Sequence, residues 1–330
     1  MSSTSSSGQS ISIRGKQYPV LECRHIGRRR YYLLQRIGSP QRERFKAFDP
    51  LAGPGGDFFQ VQHWQGKAAA DNLRRLLRLK CDGFPRVYDC QQTNGGYSVA
   101  LTWVEGIDLA AYFEHIRANR RPAVAPADAL RLIRGLAHAV SRLNSQLRLC
   151  HGDIQPANVV ITSHPSRLLL VDFGSAWICE AATSRTAGDG AHPCYCAPEQ
   201  FRSPAAGGFH ADQFSVSILL YQLLSGELPY QGLGAKAGWP EFAVVARQPV
   251  PPSELNPHCR VLPVTLRRQL DQVVLRGMHL LPSDRYPDRH AWLDAIDELH
   301  LGLRRPARPS SANGWLTTIA QWFSRAKTTS

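Results

Sequence analysis

A long amphipathic segment runs into a polar octapeptide near the middle of the chain, and that pairing leaves few folds open. Leu130, Ile133, Leu136, Ala137, Val140 and Leu143 recur at i, i+3, i+4 and i+7 spacing, which predicts one helix over residues 127–147 with a single apolar face. His151-Gly152-Asp153-Ile154-Gln155-Pro156-Ala157-Asn158 follows it. Two short apolar runs, at residues 159–161 and 168–171, then read as strands flanking a turn, and the second leads into Asp172-Phe173-Gly174.

The two sides of this region differ in character. Before it, Tyr31-Tyr32-Leu33-Leu34, Arg44-Phe45-Lys46-Ala47-Phe48, Phe58-Phe59-Gln60-Val61, Arg86-Val87-Tyr88 and residues 97–104 are strand-like, with turn signals at Asp49-Pro50 and Asn94-Gly95-Gly96. One helix is expected among them, over residues 67–80, with Leu73, Leu76 and Leu77 on its apolar face. After it, residues 213–301 read as mainly helical with proline breaks. A small β-rich lobe followed by a larger helical lobe is an α+β plan.

Composition closes other routes. No run of about 18 apolar residues occurs, so no transmembrane helix is predicted. Eight cysteines at irregular spacing, in a chain long enough to build its own core, read as reduced cytoplasmic thiols. The formal charge of +13 comes with no helix-turn-helix, zinc-finger or base-stacking motif, so no specific nucleic-acid partner is expected. Residues 1–17 read as a disordered leader, rich in Ser and Thr near its start. Residues 304–330 read as a linker and an amphipathic tail carrying Trp315, Leu316, Ile319, Trp322 and Phe323. That stripe is short and poor in cations, which favours docking on protein over contact with a membrane surface.

The octapeptide and Asp172-Phe173-Gly174 resemble the catalytic loop and the Asp-Phe-Gly motif of protein kinases. Three further marks follow in order. Ala197-Pro198-Glu199 is similar to the segment that closes a kinase activation loop. The run from His210 resembles the central helix of the kinase C-lobe. Pro282-Ser283-Asp284-Arg285-Tyr286 resembles the late motif whose arginine pairs with the Ala-Pro-Glu carboxylate. The resemblance implies a two-lobe domain over residues 18–303, with the N-lobe over about 18–104 and the C-lobe over about 105–303. It also implies ATP and Mg²⁺ as cofactors and a protein substrate or partner. By the same resemblance Asp153 would accept the proton of an attacking hydroxyl, Asn158 and Asp172 would hold the metal, and Gln155 would steady the transferring group. Asp212 would brace the loop through backbone N–H groups, and Arg285 would meet Glu199. Adenine would sit among Gly38, Phe45, Leu101, Trp103 and Val104.

The chain departs from the family in its N-terminal half. Gly38-Ser39-Pro40-Gln41-Arg42-Glu43-Arg44-Phe45 keeps one glycine of the Gly-rich loop. Phe58-Phe59-Gln60-Val61-Gln62-His63 has no phosphate-binding lysine, and the partner glutamate aligns with Asn72, beside Asp71. Arg42, Arg44, Lys46 and Lys67 are the candidate substitutes. Gln155 and His192 stand where Ser/Thr kinases usually have lysine and threonine, and Gly152 stands where an arginine would anchor a phosphorylated loop. Thr183, Ser184 and Thr186 would therefore not switch activity by that route. The expectation is an atypical, slow cytoplasmic protein kinase. A pseudokinase scaffold is the main alternative, and transfer to a non-protein hydroxyl a third.

Overall fold

In the computed structural model the described residues are 3–4, 10–13, 16–26, 29–35, 58–64, 74–79, 81–93, 96–102, 104, 106–118, 124–162, 166–173, 177–178, 192–202, 208–242 and 248–304. The N-terminal half is a seven-stranded antiparallel sheet. Its strands are β1 (Ser3–Thr4), β2 (Ser10–Ile13), β3 (Lys16–Ile26), β4 (Arg29–Gln35), β5 (Phe58–Trp64), β6 (Val87–Thr93) and β7 (Gly96–Thr102). The spatial order is β1-β3-β4-β5-β7-β6, with β2 also paired to β3. Aromatic and β-branched residues make up four of the seven positions of β5, a composition typical of strands. Gln60 of β5 pairs with Leu33 on one side and Leu101 on the other.

The leader expected to be disordered contains β1 and β2. Ser10-Ile11-Ser12-Ile13 alternates with period two and forms a hairpin with residues 16–19 of β3, where Ser10 Oγ donates to Gln17 Oε1 at 3.1 Å. Local alternation prevailed over the Ser/Thr-rich composition. Of the helix expected over 67–80, residues 74–76 are helical and 77–78 form a turn. Leu76 is buried there, but Leu77, assigned to the same apolar face, is exposed. The strand expected at 44–48 lies outside the described residues.

The C-terminal half is helical: α1 (Leu109–Ala118), α2 (Pro126–Leu147), α3 (Pro198–Arg202), α4 (Phe209–Ser225), α5 (Val264–Gly277) and α6 (Arg289–Arg304). The six apolar residues that predicted α2 are all fully buried. Each of the Leu, Ile and Val side chains among them is worth about 1.5–3 kcal/mol over leaving it in water. Every residue of α4 from Ala211 to Leu224 is buried, so this helix has no solvent face and forms the axis of the lobe. Asn256 fastens α2 to it by donating to the carbonyls of Val124 and Leu224 at 2.9 and 2.8 Å. Across the other side of α2, Arg134 donates to Asp297 of α6 at 2.7 Å.

Helix α2 ends with Arg148 in the left-handed region (φ 53°), its N–H returning to Leu143 O. That reversal starts β9 (Leu149–Cys150), which pairs with β12 (Trp177–Ile178). The short strands β8 (Ile107–Asp108), β10 (Val159–Ile161) and β11 (Leu168–Leu170) form a three-stranded antiparallel sheet. The octapeptide thus lies between a helix end and a strand that are both anchored in the core.

Candidate active site

Residue Gly152 sets the course of the loop. Its φ of +73° lies in the left-handed region, which glycine occupies without steric penalty. The buried carboxylate of Asp212 accepts from His151 N and Gly152 N, at 2.9 Å each. Burial raises Asp212 to about 6 against the pull of these two donors, so it is still ionised at neutral pH. The brace expected from the sequence is therefore present.

His151 is fully buried, and burial lowers its pKa to about 4. The neutral ring carries its proton on Nε2, which donates to Val171 O at 3.2 Å, and Nδ1 accepts from Asp153 N at 3.4 Å. Its edge meets Phe173 at a centroid distance of 5.2 Å, and Phe173 meets Phe84 at 5.3 Å. This column of three rings joins the loop to the segment ahead of β6.

The carboxylate of Asp153 is oriented by three groups. Gln155 Nε2 donates to Oδ1 at 2.8 Å, His192 N donates to Oδ1 at 3.3 Å, and Asn158 Nδ2 donates to Oδ2 at 2.8 Å. Burial holds its pKa above the ordinary carboxylate value; these three bonds pull it down and the charge of Asp172 pushes it up. Asn158 Nδ2 also donates to Asp153 O at 2.9 Å, which turns its Oδ1 away from that pair. Val171 N donates to Asn158 O at 2.8 Å, bringing Asp172 beside Asn158. Asp172 has φ +62°, a conformation aspartate tolerates better than most residues.

This donor set fits Mg²⁺. Asn158 Oδ1 and the Asp172 carboxylate are hard oxygens, and Mg²⁺ is commonly held by one or two carboxylates plus substrate phosphates. Among the described residues no cluster of three or more His, Cys, Asp or Glu could hold a metal unaided.

Residues 192–202 face the loop. His192 Nδ1 accepts from Cys194 N at 3.2 Å, and Tyr195 donates its hydroxyl to Gln222 of α4 at 2.8 Å. Gly234 (φ +53°) brings the chain under Pro193, whose carbonyl accepts from Ala235 N at 2.9 Å. Glu199 receives two bonds from Arg285, at 2.7 and 2.9 Å. Arg285 also donates to the carbonyls of His279, His210 and Leu280 and lies 4.8 Å over the Phe214 ring.

Asp153, Gln155 and Asn158 are thus joined directly, with Asp172 alongside. Leu101 is buried on β7 and Val104 is half-buried just beyond it. Gly38, Phe45 and Trp103 lie outside the described residues, as do Arg42, Arg44, Lys46, Lys67, Asp71, Asn72, Gly174, Thr183, Ser184 and Thr186. Sequence reasoning missed Gln200, whose Nε2 donates to Gly152 O. The one signal for it was a polar residue directly after Ala197-Pro198-Glu199.

A model of the protein kinase domain matches residues 60–252, more than half the chain. The chain belongs to the protein kinase family. This kinase domain is 27% identical over 283 residues to the serine/threonine-protein kinase PknI of Mycobacterium tuberculosis, covering 84% of the chain but 40% of PknI. It is 30% identical over 208 residues to PknE of the same organism, covering 61% of the chain and 32% of PknE. The chain therefore spans less than half the length of these relatives. The crystal structure of the PknI kinase domain aligns with a TM-score of 0.55 and 25% identity, covering 88% of this chain and 98% of that one. The kinase fold is thus two-lobed, as expected from the sequence. Among the described residues no helix is long and apolar enough to cross a membrane.

Proposed function

We propose that this kinase domain transfers the γ-phosphoryl group of ATP, with Mg²⁺, to a hydroxyl group of a protein, and does so slowly. The observation that carries this reading is the Asp153 carboxylate, fixed by Gln155, Asn158 and His192 N–H. A carboxylate with a raised pKa, held by neutral donors, is suited to take a proton. The acceptor hydroxyl would give its proton to Asp153 while its oxygen bonds to the γ-phosphorus. The bond from that phosphorus to the bridging oxygen breaks and ADP leaves. Mg²⁺ held by Asn158 and Asp172 would neutralise phosphate charge. Gln155 orients Asp153 but brings no positive charge to the phosphoryl group, which supports a slow rate.

The experiment is label transfer from γ-labelled ATP with Mg²⁺, comparing wild type with Asp153→Asn. Label in wild type that disappears in the variant is expected. Label that persists at the wild-type rate would remove Asp153 from the reaction.

A second reading is a scaffold that binds a partner or nucleotide without transfer. It is favoured by one feature of the sheet, that β5 (FFQVQHW) contains no lysine. Absence of label with both Mg²⁺ and Mn²⁺ would select it. We also assign the domain to the cytoplasm. The five free cysteines among the described residues, Cys81, Cys150, Cys194, Cys196 and Cys259, support a reducing compartment. Cell fractionation tests this. The C-terminal stripe lies outside the described residues, and we read it as docking on protein.

A further inference from the structure

We propose that Gln200 is a positioning residue, through which the 192–202 segment sets the orientation of the catalytic loop. The inference rests on the kinase reading above for its effect on rate. Both sides of Gly152 are fastened: its N–H to Asp212 Oδ1 at 2.9 Å, its carbonyl to Gln200 Nε2. The next residue is Asp153. The supports are themselves joined. Gln200 follows Glu199, Glu199 is gripped by Arg285, and Arg285 donates to His210 O at 2.8 Å, two residues before Asp212 on α4. The bonds close a ring from Gly152 through Gln200, Glu199, Arg285, His210 and Asp212 back to Gly152.

The same segment also reaches Asp153 itself, through His192 N–H. Asp153 is therefore bracketed from both sides by one stretch of chain. A shift of that stretch relative to α4 moves the base.

The burial of Gln200 supports a specific role. It is 3% exposed, and its Oε1 has no partner among the described residues. A buried carboxamide with one end unsatisfied is less stable than an apolar side chain of similar size. Its contribution lies in the bond its other end makes.

Gln200→Met removes the donor and retains the volume. The melting temperature should change little, because loss of the orphaned Oε1 offsets the stranding of Gly152 O. kcat for phosphoryl transfer should fall about tenfold or more, since displacement of a catalytic group by about 1 Å costs up to about 10²-fold. KM for ATP should stay within about twofold, because the ring touches the base and not the nucleotide. Gln200→His returns an Nε2–H at similar reach and should restore kcat to within about threefold. Amide exchange of residues 151–153, measured by mass spectrometry on the full chain, should quicken about tenfold in Gln200→Met and not in Gln200→His.

Unchanged kcat and exchange in Gln200→Met would overturn the proposal. So would equal loss of kcat in both variants accompanied by lowered melting temperatures, which would make Gln200 a packing residue. Should wild type transfer no phosphate, the kinase reading fails separately and the exchange contrast still decides the positioning role.

Discussion

Substituting Glu199→Gln tests the electrostatic logic of the C-lobe. The Arg285 side chain is fully buried and that of Glu199 is 14% exposed. The bidentate pair is therefore scarcely screened by water. Glutamine keeps the volume but turns one of two acceptor oxygens into an NH₂ group facing the guanidinium. Cutting one partner from a buried pair costs about 3–5 kcal/mol, most of it from stranding the other charge. Three carbonyls, those of His210, His279 and Leu280, still accept from Arg285, which places the expected loss near the lower end, about 3 kcal/mol. That is a large part of the about 5–15 kcal/mol typical of a folded domain. Urea unfolding should show a lower midpoint at unchanged slope. The double variant Glu199→Leu/Arg285→Met removes the stranded charge but leaves the carbonyls of His210, His279 and Leu280 without that donor, so it should recover less than half of the loss. A single-variant loss below about 1 kcal/mol would refute the reasoning, because it is the value of a solvent-screened surface pair.

Other consequences can be checked as directly. Asp172→Ala should abolish the strengthening of ATP binding by Mg²⁺, read by calorimetry with and without the metal, while Gln155→Ala should not. Gln155→Lys should raise kcat about tenfold by supplying a preorganised cation, and should shift the acid limb of the rate profile to lower pH. In wild type that limb should lie above the ordinary carboxylate range, because burial raises the pKa of Asp153 and the base must be ionised. His151 is neutral in the fold with a pKa of about 4 against 6.5 unfolded, so unfolding takes up a proton as pH falls through that window and stability is lost. Asp212, at about 6 against 3.8, works in the opposite direction, since the fold takes its proton first. The two nearly cancel. His151→Phe should therefore gain about 3 kcal/mol on wild type between pH 7 and pH 4 in parallel denaturation series.

The parts of this fold that could be read from sequence were those with strong periodicity or local chemistry. The apolar stripe of α2 gave its extent to within one residue, because tertiary packing and helical spacing agree there. The Glu199–Arg285 pair and the Asp212 brace came from motif resemblance and appear with good geometry. The β1 and β2 strands were missed because the Ser/Thr-rich composition outweighed a period-two run of only four residues in β2 and two residues in β1, which are held by pairing with β3. Leu77 was misplaced because a single helical turn at 74–76 gives way to a turn, so heptad-like spacing ceases to define a face. Gln200 was invisible for another reason. Its partner is a backbone carbonyl 48 residues away, and a carbonyl has no sequence signature.

The column of Phe84, Phe173 and His151 has a dynamic consequence. All three rings are buried, and each meets its neighbour edge-on at between 5 and 6 Å. Phe173 adjoins Asp172, and His151 lies two residues before Asp153. A rotation of the Phe173 ring out of the stack would open a void against both Phe84 and His151, and close packing makes such partial states costly. Asp172 and Asp153, each close in sequence to a ring of this column, are therefore expected to leave and regain their positions in one step. Relaxation-dispersion measurements would then report a single exchange rate at both residues.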